Sequence, residues 1–114
     1  MLATLILALA IQTAPNVKNP RNIEFTCPDH ARDDEHRVNI YKSDGTLVQT
    51  IVIGDPPQGT DGLVRATLNV QPIAFGTGFY VTVHAIAGGA FSDESAHSNL
   101  FDRVPGAPTG TVVK

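Results

Sequence analysis

The sequence predicts an all-β domain, and three observations carry that reading. Several short stretches alternate apolar and polar residues with the two-residue period of a half-buried strand. Turn-forming residues interrupt those stretches at roughly ten-residue intervals. No apolar stripe of period 3.6 runs long enough to make an amphipathic helix. The expected architecture is a seven-stranded antiparallel β-sandwich, in which two sheets bury their apolar faces against each other.

The chain divides at residue 15. Residues 1–10 are apolar but for Thr4, and residues 11–15 turn polar and end at Pro15. Leu5, Leu7, Leu9 and Ile11 alternate with Ile6, Ala8 and Ala10, as in a strand buried on both faces. Small residues at Ala8, Ala10, Thr13 and Ala14 also suit a signal-peptide cleavage site, although no Lys or Arg precedes the run. Eleven helical residues rise only ~16 Å, too little for a ~30 Å hydrocarbon layer, so a transmembrane span is excluded. The segment is therefore a signal peptide, a retained assembly strand or an anchor at a membrane surface.

From Asn19 onward the strands follow in order. Ile23, Phe25 and Cys27 alternate with polar neighbours until Pro28, which makes Cys27 a small core residue. Val38 and Ile40 share a face of the next strand, and Asp44-Gly45 supplies a tight reversal. Residues 47–53 form a β-branched return strand, and 54–62 form a loop rich in Gly and Pro. Val64, Ala66, Leu68 and Val70 line one face before Pro72. The clearest strand sets Phe79, Val81, Val83 and Ala85 against Tyr80, Thr82 and His84. Gly88-Gly89 makes another turn, residues 95–104 form the last strand, and 105–114 are a Pro/Gly-rich tail.

Composition limits the functions open to the chain. Its 114 residues hold one domain, and 42% hydrophobic against 17% charged residues marks a packed core. A net charge of −3 lacks the basic surface that nucleic acid requires. The single Cys27 has no internal disulfide partner.

The run Phe79-Tyr80-Val81-Thr82-Val83-His84-Ala85, followed by Gly88-Gly89, Ser92, Ser95 and Ser98-Asn99, resembles the end of a fibronectin type III domain. Leu68-Asn69-Val70-Gln71-Pro72 is similar to the turn before it, and residues 23–28 to the early core strand. The resemblance covers residues 15–110 and implies an immunoglobulin-like sandwich. Two departures stand out: there is no Trp near Cys27, and Phe79 aligns with the tyrosine-corner position while Tyr80 stands one place on, where a one-residue bulge would bring it inward instead.

No residue set forms a catalytic constellation. Residues 29–37 gather Asp29, His30, Asp33, Asp34, Glu35 and His36, but with neither a calcium-loop pattern nor the paired short spacings of a zinc site, and with Arg32 and Arg37 interleaved. They are expected to be a solvated loop, with no metal or other cofactor. Ser92, Asp93, Ser95, His97 and Ser98 are triad residue types without a nucleophile elbow, and the serines are expected to hydrogen-bond at a turn and edge strand. His84 is expected on the surface.

The expected function is therefore that of a non-catalytic structural or interaction module in an extracellular assembly, on a virion or bacterial cell surface. Its partners would be protein subunits, including further copies of itself, with Leu5, Leu7, Leu9 and Ile11 making the contact. Loops 29–37, 56–62 and 87–93 offer further contacts, Asp33 and Asp34 among them. The alternative is a secreted accessory module binding surface glycans or proteins through Tyr41 and Tyr80.

Overall fold

The computed structural model describes residues 15–114, so the contact expected of Leu5, Leu7, Leu9 and Ile11 lies outside the described residues. Eight strands occur in chain order: β1 Val17–Lys18, β2 Asn22–Phe25, β3 Glu35–Tyr41, β4 Leu47–Gly54, β5 Val64–Thr67, β6 Gly76–Ala87, β7 Ala90–Phe91 and β8 Phe101–Arg103. A short 3-10 turn, His30–Arg32, is the one helical element among the described residues. The all-β class holds. The strands form a six-stranded sheet, ordered β1-β8-β6-β3-β4 with β7 also on β6, and a two-stranded sheet of β2 and β5.

Two details differ from the expected seven antiparallel strands. β1 runs parallel to β8, making the larger sheet mixed, with Val17 opposite Phe101. The partner lies more than eighty positions away, and nothing in residues 15–19 encodes its direction. Asn19 holds the junction at φ 46°, its side chain bonding the backbone of Val104 and the guanidinium of Arg103. The last strand is also shorter than expected, because serine side chains do the pairing ahead of it.

Ser92, Ser95 and Ser98 repeat one pattern along β6. Each backbone N–H donates to a β6 carbonyl, of Ala85, Val83 and Val81 respectively, at 2.8–2.9 Å. Each hydroxyl accepts the N–H of that same β6 residue at 2.9–3.0 Å and donates to the carbonyl of the residue after the serine. The hydroxyl thus stands in for a backbone carbonyl, and the β6 edge is satisfied without a regular ladder. Three residues of this segment match two of β6, so it advances only ~2.2 Å per residue against the ~3.3 Å of a strand.

The β3–β4 hairpin reverses at Asp44-Gly45. Lys42 N donates to the Thr46 carbonyl at 2.9 Å, Asp44 Oδ1 accepts from Thr46 N, and Gly45 adopts φ +90°, a conformation that glycine enters without strain. Val38 and Ile40, both 0% exposed, centre a cluster with Leu68, Val70, Ile73, Phe79, Val81 and Phe101. Ile23 of the two-stranded sheet and Val48, Ile51, Ile53 and Val83 of the larger one pack against it, so both sheets share one core. Phe79 is buried in this core and stacks on Phe101 at 5.4 Å. A Cβ at Gly76 would come within 3.2 Å of the Phe79 ring, which accounts for the glycine there. Tyr80 faces the other way.

Candidate functional site

Three features of the described residues offer chemistry or contact. The first is a groove of about 550 Å³ whose lining takes in all of β2 and none of β5. Among the described residues β2 pairs only with β5, so its other edge has backbone groups without a strand partner from those residues beside that groove. Ile23, Phe25, Leu68, Val81, Val83 and Phe101 supply its apolar walls, and Ser95, Ala96, Ser98 and Asn99 its rim.

The second feature is a cluster at the start of β3. Phe25 ends β2, and residues 27–33 then turn tightly: His30 N reaches the Cys27 carbonyl, Arg32 N that of Asp29 and Asp33 N that of His30. Such i,i+3 bonds give three residues per turn, which stacks every third side chain on one face. Cys27, His30 and Asp33 share that face, and His36 joins them as the first inward-facing residue of β3, on the side of Val38 and Ile40. One donor atom from each of the four lies within 4.8 Å of all the others. Cys27 Sγ donates to Asp33 Oδ2 at 2.7 Å, and the same oxygen sits 3.2 Å from His36 Nε2. His36 is fully buried, and its ring lies against those of Phe25 and His30.

Burial pushes the Cys27 thiol up to about 11, aided by the bond to Asp33 and that carboxylate's negative charge, so the sulfur carries its proton at neutral pH. His36 Nδ1 lies 3.1 Å from the Gly54 carbonyl oxygen, which only accepts, so Nδ1 carries a proton and Nε2 is the nitrogen on the side of the cluster. His30 Nδ1 and His36 Nε2 are both buried with no hydrogen-bond partner among the described residues. Asp55 lies behind both rings, its Oδ1 3.7 Å from His30 Nε2 and from His36 Nδ1.

The third feature is the outer face of the larger sheet. Cross-strand pairs Arg37 with His84, Asn39 with Thr82 and Tyr41 with Tyr80 form three rows. Phe91, Glu94 and His97, again three residues apart, extend them. Phe91 meets His84 edge-on and lies under the Arg37 guanidinium; His97 sits 4.6 Å from Tyr80, which stacks on Tyr41. In the middle row Glu94 Oε1 accepts from Asn39 Nδ2, Tyr41 Oη and Thr82 Oγ1 at 2.8, 2.5 and 2.6 Å, while Thr50 Oγ1 donates to Asn39 Oδ1. These donors hold the Glu94 carboxyl below its usual range, and that carboxylate in turn raises the Tyr41 hydroxyl.

Comparison with family models, curated proteins and solved structures gives no match.

The residues singled out in the sequence are distributed among these features. Tyr41 and Tyr80 meet on the outer face. Asp33 and Asp34 separate: Asp33 enters the cluster, while Asp34 turns away and accepts from Gly88 N at 2.8 Å. Cys27, expected in the apolar core, is half-buried with its thiol on a carboxylate. Arg32 is exposed and Arg37 bonds Glu35, so neither cation enters the cluster. Sequence reasoning missed the union of Cys27 with His30, Asp33 and His36. The signal was present as Cys-x-x-His-x-x-Asp-x-x-His, a constant spacing that becomes convergent only if the chain turns every three residues.

Proposed function

We propose that this protein is a non-catalytic interaction module with a fibronectin type III-like sandwich architecture, assembling with further copies of itself by strand addition. The observation that carries the reading is the apolar groove along the edge of β2 that no described residue pairs. Its proposed occupant is residues 1–14 of a neighbouring copy. An edge offers backbone donors and acceptors, and the groove beside it takes alternate side chains. Leu5, Leu7, Leu9 and Ile11 have that two-residue spacing, and seven extended residues span ~23 Å. Assembly of this kind suits a repeated subunit on a virion or cell surface.

The test compares the full chain with one lacking residues 1–14 by analytical ultracentrifugation across a concentration series. The full chain is expected to associate; the shortened chain is expected to stay monomeric, keep its β-sheet circular dichroism and bind a synthetic 1–14 peptide. Val83→Arg, placed in the groove wall, is expected to block peptide binding. A full chain monomeric at every concentration, or association that survives the deletion, refutes the proposal.

A second reading rests on the outer face, where stacked Tyr41 and Tyr80 beside His97 present aromatic surface next to hydrogen-bonding groups. It holds if glycan-array binding is found and disappears in Tyr41→Ala.

A further inference from the structure

We propose that Cys27, His30, Asp33 and His36 form a structural Zn2+ site that ties the end of β2 to the start of β3. Each residue brings one donor atom to a common point, with all four atoms within 4.8 Å of one another. A tetrahedral zinc site with bonds of ~2.0–2.3 Å separates its ligand atoms by ~3.3–3.8 Å, so small side-chain rotations suffice to close the set. One thiolate, two imidazoles and one carboxylate are zinc's usual ligand types, whereas calcium and magnesium take oxygen alone.

The unpartnered nitrogens distinguish this cluster from a chance gathering of polar residues. His36 is fully buried, its Nδ1–H committed to the Gly54 carbonyl, and its Nε2 lies 3.2 Å from Asp33 Oδ2 without a hydrogen-bond partner among the described residues. A ring nitrogen buried without a partner carries a desolvation cost that a bound cation would remove. Neither His36 Nε2 nor His30 Nδ1 finds a hydrogen-bond partner among the described residues. A divalent cation satisfies both nitrogens together with Asp33 and Cys27. Binding replaces the thiol proton, which leaves to solvent, with a sulfur–zinc bond.

The surroundings have the organisation of an outer ligand shell. The Gly54 carbonyl fixes the His36 tautomer, and the Asp55 carboxylate lies behind both imidazoles. Such partners orient metal-bound histidines and raise their basicity. A cavity of about 340 Å³ lined by Cys27, Asp33, His36 and Asp93 gives an entry path. Four protein donors leave no open position, so the role is structural. The ion would cross-link the two sheets where the 27–34 connection otherwise rests on three turn bonds and on Asp34 against Ile86 and Gly88.

The full chain, stripped with a chelator and titrated with Zn2+ alone, is expected to bind one equivalent and to melt at a higher temperature. Co2+ in its place is expected to give an intense tetrahedral visible spectrum with a sulfur-to-metal charge-transfer band. Cys27→Ser should abolish that band, and both Cys27→Ser and His30→Ala should weaken Zn2+ binding by more than the ~10–100-fold typical of losing an outer partner. Asp55→Asn should fall within that smaller range. Circular dichroism of the metal-free variants reports whether each folds, and His30→Ala, at a half-buried turn position, decides the matter if Cys27→Ser does not. No binding at micromolar Zn2+, a cobalt spectrum without the sulfur band, or affinity unchanged in His30→Ala overturns the proposal.

Discussion

Replacing Glu94 with alanine removes the one oxygen on which Asn39, Thr82 and Tyr41 converge. Asn39 and Thr82 are only 6% and 7% exposed, so their freed donors have little access to water. A net loss of ~1 kcal/mol for each of these two, with a smaller share from the more exposed Tyr41, gives about 2 kcal/mol. In a domain of this size that lowers the melting temperature by ~8–15 °C. Urea denaturation should show the same loss, with a coupling of at least ~0.5 kcal/mol between Glu94→Ala and Thr82→Val in a double-mutant cycle. The pH dependence adds a second check. The bonds from Thr82, then Tyr41 and Asn39, hold the Glu94 carboxyl below its ordinary 4.5. A depressed folded value means that the stabilisation is complete above the ordinary value and is lost as pH falls through the folded one. The stability gap between wild type and Glu94→Ala should therefore stay constant from neutral pH to about 4.5 and close below it. Tyr41, raised above its ordinary 10.0, should keep its share up to that pH and lose it as the pH rises further. A melting temperature unchanged in Glu94→Ala, or strictly additive effects with Thr82→Val, would refute the shared-acceptor account.

Two further predictions concern the scaffold. Ser95→Ala removes the acceptor of Val83 N–H at an exposed edge, so it should cost only ~0.5–1.5 kcal/mol while speeding hydrogen exchange at the Val83 amide far more than at Val38; equal protection in both proteins would show that the hydroxyl does not stand in for a carbonyl. Ile40→Ala, at a position with no exposure in the centre of the core, should destabilise by ~2–5 kcal/mol in urea titration, and a loss below ~1 kcal/mol would place the packing centre elsewhere.

The strands were legible where a local period or turn decided them. Val38 and Ile40, the Asp44-Gly45 reversal, the face shared by Val64, Leu68 and Val70, and the opposition of Phe79 to Tyr80 all depend on neighbours one or two positions away. Phe79 enters the core because its parity matches that of Val81, which also places Tyr80 outside. What sequence did not show was distant pairing. The parallel contact of β1 with β8 joins opposite ends of the described chain, and the Glu94 network joins residues more than fifty positions apart. Thr82 and Asn39 lie on a face read as polar and solvated, yet both are buried because residues 91–97 fold across it. The pattern of apolar side chains contains no term for such cover.

Both the donor cluster and the serine ladder use a spacing of three, which neither the strand period of two nor the helix period of 3.6 samples. In residues 27–36 the spacing arises from a 3-10 turn feeding a strand, so the donors at 27, 30 and 33 stack before β3 contributes His36. In residues 91–98 it arises because side-chain oxygens replace main-chain ones and shorten the advance per residue. There the spacing serves two purposes at once: Ser92, Ser95 and Ser98 bind β6, while Phe91, Glu94 and His97 cover its outer face. Deleting Ala96 would therefore put His97 and Ser98 out of register together, whereas a deletion at the Gly88-Gly89 turn would leave the downstream spacing intact. Ser95 and Ser98 also border the groove along β2, so the register of this irregular segment fixes the shape of the proposed assembly surface as well as the cover of the opposite face.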